Sequence, residues 1–219
     1  MKKKTATRVL VVDDHSVVRE GLAAILGSDP AFEVCGLAGT AAEALRLAEE
    51  VQPDIITLDL RLRDDNGGLS LLKSFRQQHK AVKVLVNSVC DEQIYAERCL
   101  RAGAAGFINK GASKEELLDA LRQVEQGKVY LSGDATDQML RKQFMGQTSI
   151  EPAVNQLSNR EIEVFEKLAE GRSMQEIADQ LCLSVKTVES HRENIKDKLG
   201  FESSRELAHY AIQWAMDLE

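Results

Sequence analysis

The chain has no apolar run approaching the ~20 residues that a bilayer span needs, which excludes a transmembrane helix. Proline is scarce, with three residues in 219, and no low-complexity tract occurs. The three lysines near the start lead into a short strand rather than the apolar segment of a signal peptide, so the expected compartment is the cytosol. Cysteine is sparse too. Cys35, Cys90, Cys99 and Cys182 have neither metal-ligand spacing nor a C-x-x-C pair, and read as reduced packing residues. There is no excess of positive charge. The formal charge of −7 gives whole-chain electrostatics no part in nucleic-acid binding. What is present is ordinary globular material, 43% hydrophobic and 29% charged, enough for one large domain or two smaller ones.

The most informative stretch is Asp54-Ile55-Ile56-Thr57-Leu58-Asp59. Its apolar and β-branched run suits a strand covered on both faces, as in a parallel sheet. It stops at a carboxylate, at the sheet edge where open α/β folds bind ligands. Three other runs behave alike. Val9 through Val12 ends in Asp13-Asp14, Val84 through Val86 ends in Asn87-Ser88, and Phe107-Ile108 ends in Asn109-Lys110.

Between these runs lie helical patterns over 15–26, 40–50, 69–78, 91–102 and 113–126, with a further strand over 32–37. Thr40 with Glu43, and Ser113 with Glu116, read as capping boxes. Residues 61–68 read as a polar loop with Gly67-Gly68 as its turn. The alternation predicts a flavodoxin-like (βα)5 domain over 1–127, with a parallel sheet in 2-1-3-4-5 order. That order places Asp13, Asp14 and Asp59 in one pocket. Residues 128–155 read as a linker with one short helical pattern near 134–144. Residues 156–219 carry no strand signal and read as an all-α unit of four helices over 159–170, 173–180, 184–199 and 204–218. The short link at 181–183 has the length of a helix-turn-helix.

The carboxylate pocket is hard and oxygen-rich, and suits Mg²⁺. A bound cation would offset the charge of an incoming phosphoryl group and leave one carboxylate as nucleophile. Lys110 can pair with a phosphoryl oxygen or with Asp59, and Ser88 can donate a hydrogen bond. The chemistry implied is an aspartyl phosphate at Asp59. A Mg²⁺-dependent phosphohydrolase using Asp59 as nucleophile is an alternative, but Arg61 stands where its second acid/base residue would be.

These residues carry a resemblance. Val11-Val12-Asp13-Asp14-His15, Pro53-Asp54 through Asp59-Leu60, Ser88, and Gly106-Phe107-Ile108-Asn109-Lys110 resemble the receiver domain of two-component response regulators. The resemblance implies Asp59 as phosphoacceptor, with Mg²⁺ held by Asp13, Asp14, Asp59 and the backbone carbonyl of Arg61. It also implies Ser88 and Phe107 as a switch pair, Lys110 as the phosphate-pairing lysine, and no enzymatic role beyond the phosphoryl switch. One departure is Arg63, where receivers usually carry proline, in a loop about one residue longer than usual. Proline rigidifies a loop, so this departure admits a receiver that works without phosphate.

In the C-terminal region, from residue 155 on, eight Lys and Arg face thirteen Asp and Glu, which argues against DNA. The helix over 184–199 is the exception, with Lys186, Arg192, Lys196 and Lys198 against Glu189, Glu193 and Asp197. Val188, Ile195 and Leu199 fall on its inward face and Lys186, Ser190, Glu193, Asn194 and Asp197 on its outward face. The pattern alone leaves a DNA-binding unit and a helical interaction domain both open. Leu157-Ser158-Asn159-Arg160-Glu161, Ala169-Glu170-Gly171, Glu176-Ile177-Ala178, Leu183 through Val188, and His191-Arg192 through Gly200 resemble the LuxR-type helix-turn-helix, with Asn159 in place of a usual proline. Both halves together resemble the NarL/FixJ subfamily. That implies a regulator phosphorylated by a sensor histidine kinase and binding double-stranded DNA as a homodimer when phosphorylated. Glu189, Ser190 and Glu193 then become base-reading candidates, and Lys186, Thr187, Arg192 and Lys196 backbone contacts, with His191 among them. Leu207, Tyr210, Ala211 and Trp214 form a helical stripe that serves either a dimer contact or the core.

Overall fold

A computed structural model describes residues 6–62, 67–145, 154 and 156–216. It forms two compact units, Met1–Met145 and Gly146–Glu219. The first alternates β1 (Thr7–Val12), α1 (Ser16–Gly27), β2 (Phe32–Ala38), α2 (Ala41–Val51), β3 (Ile55–Leu58), α3 (Gly67–Gln78), β4 (Lys83–Ser88), α4 (Glu92–Ala102), β5 (Gly106–Asn109) and α5 (Lys114–Glu125), and adds α6 (Gly133–Met145). The strands are all parallel in the order β2-β1-β3-β4-β5, as the alternation predicts.

Register neighbours share a sheet face, and the period of two separates the faces. Val9, Val11, Ile55, Leu85 and Ile108 pack with Leu22 and Leu26 of α1 and Leu117, Leu118 and Leu121 of α5 in one core cluster. The register Leu58↔Val86↔Phe107 places Phe107 on the opposite face, where its side chain is fully buried. The central strands β1, β3 and β4 therefore bury both faces, which accounts for their near-continuous apolar runs, whereas the edge strand β2 is only partly covered.

Local signals set the helix starts. Ser113 and Glu116 close the expected capping box. The Thr40 box closes only half-way. The Thr40 hydroxyl accepts from the Glu43 N–H, but the Glu43 carboxylate reaches past Thr40 to the N–H of Gly39, at 2.8 Å. The Gly67-Gly68 pair is not a free turn. It opens α3, and Gly68 N–H donates to Leu60 O at 3.0 Å. Residues 63–66, including the unusual Arg63, lie outside the described residues.

The segment expected as a linker is partly structured. After Gly127, at φ +80°, Tyr130 pairs with the β5 edge: its N–H donates to Ala105 O and its carbonyl accepts from Phe107 N–H at 2.9 Å. Ser132 N–H then donates to Glu92 of α4 at 2.8 Å, and α6 follows against α4, so the first compact unit runs to Met145. Residues 146–153 and 155 lie outside the described residues.

The second unit holds α7 (Asn159–Ala169), α8 (Met174–Leu181), α9 (Val185–Leu199) and α10 (Ser204–Met216). Ser158 and Ser173 each close a capping box, and Ser184 caps α9 by accepting from Thr187 N–H. Val188 and Ile195 of α9 are buried as the helical period requires. On α10, Leu207, Ala211 and Trp214 are buried, and Trp214 meets Phe165 of α7 edge-on at 5.1 Å. That stripe serves the core of its own unit. The four cysteines form no disulfide. Burial pushes the Cys99 thiol up to about 12, in keeping with a packing role. Cys182 departs from the expected packing role: it is exposed and ends α8 in the left-handed region, at φ +53°. Among the described residues, no helix is long and apolar enough to cross a membrane.

Candidate functional site

Backbone pairing brings the strand ends level. Asp13 N–H donates to Ala38 O, Asp59 N–H to Val12 O, and Lys110 N–H to Ser88 O. The side chains just past β1 and β3, together with Ser88 and Lys110, therefore converge at one sheet edge. Lys110 Nζ lies 2.6 Å from Asp13 Oδ2 and 2.6 Å from Asp59 Oδ2. The other Asp59 oxygen, Oδ1, accepts from Ser88 Oγ at 2.8 Å and from Arg61 N–H at 3.0 Å. Asp13 and Asp59 side chains are each 1% exposed. Two buried carboxylates this close repel one another unless a cation stands between them, and Lys110 does. Burial alone would lower the Lys110 pKa, but its hydrogen bonds to Asp13 and Asp59 outweigh that and raise it.

Asp13, Asp14, His15 and Asp59 each offer one donor atom, and these atoms lie within 4.8 Å of one another. Hard carboxylate oxygens in such a cluster fit a divalent cation. Asp13, Asp14, Asp59, Ser88 and Lys110 thus come together as the sequence predicts. Ser88 and Phe107 lie on the same face of β4 and β5, both fully buried. Two participants were missed. His15 sits at the mouth with its Nδ1 2.7 Å from Asp14 Oδ1. Arg19, one helical turn further on, donates to the Asp13 carbonyl at 2.5 Å. The Asp-Asp-His succession directly before an amphipathic helix was the available signal for both.

On α9, Lys186, Glu189 and Ser190 are exposed, whereas Thr187 and His191 are half-buried. Thr187 also shares a hydrogen bond with the Ser184 hydroxyl at 2.7 Å, so it helps to cap the helix. Glu193 pairs with Lys196 one turn away and with Arg192 at 3.4 Å. Of the outward row of the sequence reading, Glu193 is therefore tied down by ion pairs within the helix. Arg160 braces the turn between α8 and α9 by donating to Leu181 O at 3.1 Å.

The α7 and α9 helices are joined by a pair that sequence spacing does not reveal: Lys198 Nζ donates to the buried Glu161 carboxylate at 2.6 Å. Burial pushes Glu161 up, but bonds from Lys198 and from Ser158 outweigh it and hold its carboxyl below the usual 4.5. A depressed carboxyl stabilises the fold above the unfolded pKa and loses that contribution as pH falls through the folded value. Acidification below about 4.5 should therefore destabilise the second unit of the wild type more than that of Glu161→Gln. Thermal melts across that range check it, and parallel pH profiles would remove Glu161 from the account.

Carboxylates with a lysine and a hydroxyl at a flavodoxin-like sheet edge, followed by a helix-turn-helix unit, fit a two-domain regulator. The comparisons agree: residues 9–122 match the response regulator receiver domain and residues 155–211 match bacterial regulatory proteins of the luxR family. The chain belongs to the response regulators of the NarL/FixJ subfamily, which are DNA-binding transcription regulators. It is similar to the response regulator GacA of Pseudomonas aeruginosa, 38% identical over 209 residues that cover 95% of this chain and 97% of that one. It is also similar to the oxygen regulatory protein NreC of Staphylococcus aureus, 34% identical over 211 residues, covering 94% and 97% respectively. In fold it resembles RcsB of Salmonella enterica serovar Typhimurium, solved bound to the rprA promoter with phosphomimetic BeF3−. The TM-score is 0.63 at 22% identity, over 94% of this chain and 98% of that one.

Proposed function

We propose that this regulator is switched by phosphorylation of Asp59 from a sensor histidine kinase, and that the switch controls sequence-specific DNA binding in the cytosol. The observation that carries the reading is the paired holding of Asp59, with Lys110 on one carboxylate oxygen and Ser88 on the other. The Asp59 carboxylate attacks phosphorus. The Oδ–P bond forms as the P–N bond of the kinase phosphohistidine breaks, and the imidazole departs. Lys110 then transfers its pairing to a phosphoryl oxygen, and Ser88 donates to another. Asp13, Asp14, Asp59 and the Arg61 carbonyl would hold Mg²⁺, whose charge offsets that of the phosphoryl group.

Losing Ser88 from Asp59 to the phosphoryl group would repack the space shared with Phe107, a two-state change in the receiver. Phe107 N–H bonds Tyr130 O, so the same change reaches the segment leading to α6. In this reading 1–127 is the receiver, 128–155 carries the connection with α6 in it, and 156–219 binds double-stranded DNA as a homodimer. Exposed Glu189 and Ser190, with Glu193, face base edges. Lys186, Thr187, His191, Arg192 and Lys196 line the phosphate backbone. The protein turns over no substrate of its own and engages no membrane.

Intact mass after incubation with Mg²⁺ and a small phosphodonor, wild type beside Asp59→Ala, tests the reading. A single phosphoryl adduct on the wild type alone is expected, with DNA binding tightened by it. No adduct from either the small donor or a cognate kinase would remove the phosphoryl switch.

A further inference from the structure

We propose that Arg19 is a positioning residue for the carboxylate site: it holds the Asp13 carbonyl, and thereby sets the peptide that presents the Asp14 carboxylate to a divalent cation. The inference rests on the cation reading above and adds a residue that acts through the backbone.

Asp13 and Asp14 follow β1 on irregular backbone, where no helix or strand repeat fixes the direction of a side chain. Asp13 is tied at its N–H, which donates to Ala38 O at 3.1 Å. Its carboxylate is tied too, because Oδ1 accepts from His15 N–H at 2.9 Å and Oδ2 lies 2.6 Å from Lys110 Nζ. What remains is the carbonyl, which belongs to the peptide that leads into Asp14. Arg19 Nη1 donates to that carbonyl at 2.5 Å. A hydrogen bond from a charged donor is roughly twice as strong as a neutral one. The peptide unit is planar, so holding its oxygen also holds the Asp14 nitrogen and the direction in which Asp14 leaves. The Asp14 side chain is 6% exposed and contributes an oxygen to the cluster. A swing of this peptide would carry that oxygen out of register with Asp13 and Asp59.

The guanidinium has a prepared seat. Arg19 stands on α1, and its N–H donates to His15 O at 3.1 Å. Its side chain lies against Gly39, just past β2, where a Cβ would stand 3.2 Å from Nη1 and 3.4 Å from Cζ. Glycine there leaves the room that the planar group needs. The Gly39 N–H is itself held by Glu43 Oε2 at 2.8 Å, so the seat is fixed. Arg19 thus links α1 to the exits of both β1 and β2. An arginine that merely pinned α1 to the sheet would affect stability, whereas one that sets the Asp14 peptide affects cation affinity.

The test uses the full chain with Mg²⁺ as the probe. Arg19→Met keeps the aliphatic stem and removes the donor. Calorimetric titration should show its Mg²⁺ dissociation constant raised about tenfold. With a small phosphodonor, the half-saturating Mg²⁺ should rise by the same factor, while the rate at saturating Mg²⁺ changes less than about twofold. The Asp14 amide resonance should shift in Arg19→Met before any Mg²⁺ is added. Gly39→Ala keeps the arginine but crowds its seat, and should raise the dissociation constant about threefold. An unchanged constant in either variant, a lower saturating rate at an unchanged constant, or a difference that disappears in about 1 M KCl, where charge acts over only roughly 3 Å, would each overturn the proposal while leaving the divalent site intact. Failure of the wild type to bind Mg²⁺ would overturn the proposal and the cation reading together.

Discussion

Gly68→Ala should cost the first unit about 3 kcal/mol and slow phosphoryl uptake at Asp59 by roughly ten- to a hundredfold. Helix propensity alone predicts the opposite sign, since alanine is favoured over glycine by about 1 kcal/mol within a helix. Local packing reverses it. A Cβ at Gly68 would lie 2.4 Å from Asp59 O and 2.5 Å from Leu60 Cα. Both are backbone atoms and cannot rotate away. The first turn of α3 rests directly on the peptide of Asp59, so relief must displace either α3 or Asp59. Displacing Asp59 draws its carboxylate from Lys110 and Ser88, which hold it at 2.6 and 2.8 Å. Gly21→Ala on α1 is the control, because nothing lies within 4 Å of its Cβ position. It should stabilise by about 0.5–1 kcal/mol. Urea unfolding followed by far-UV circular dichroism, and the time course of intact mass with a phosphodonor, measure both effects. A Gly68→Ala protein as stable and as reactive as Gly21→Ala would refute the steric account.

The same glycine shows where sequence reading reaches and where it stops. Period-two and period-3.6 patterns are local, so the strands, the helices and their order were legible. The parallel order then places Asp13, Asp14, Asp59, Ser88 and Lys110 at one edge. What was not legible is contact between residues distant in sequence or set by backbone approach. Gly67-Gly68 carries the composition of a turn, and only the proximity of Asp59 O shows that Gly68 is needed for packing. Glu161 is the third residue of the capping box that Ser158 opens. Its second role, taking Lys198 from another helix, needs the crossing of α7 and α9. Residues 128–145 are polar and read as linker, yet Tyr130 extends the β5 edge by two backbone bonds, which leave no side-chain signature. The α10 stripe was equally consistent with a dimer contact and with a core, because a helical period says that a face is covered and not by what.

That stripe carries the second large effect. Phe165→Ala should unfold the second unit while leaving phosphoryl uptake by the first unchanged. The Phe165 ring is fully buried between α7 and α10, edge-on to Trp214 at 5.1 Å and tilted against Tyr210 at 6.1 Å. Truncating a buried phenylalanine costs about 3–5 kcal/mol in lost transfer energy and residual cavity. A helical unit confined to Gly146–Glu219 has a core that rarely supplies more than about 3–5 kcal/mol. The two quantities are equal in size, so the substitution removes most of the folded population. The chain's single tryptophan, Trp214, lies in this core and reports it alone. In urea the wild type should show a cooperative Trp214 fluorescence transition, and Phe165→Ala should show the unfolded signal already in buffer. DNA binding should vanish with it, because α9 is held in place through Val188 and Ile195 by the same core. The Asp59 adduct should form at the wild-type rate, since the receiver site draws every side chain from the first unit. A retained Trp214 transition would mean that the α7–α10 contact is dispensable. Loss of the adduct would mean that the receiver depends on the second unit for its fold.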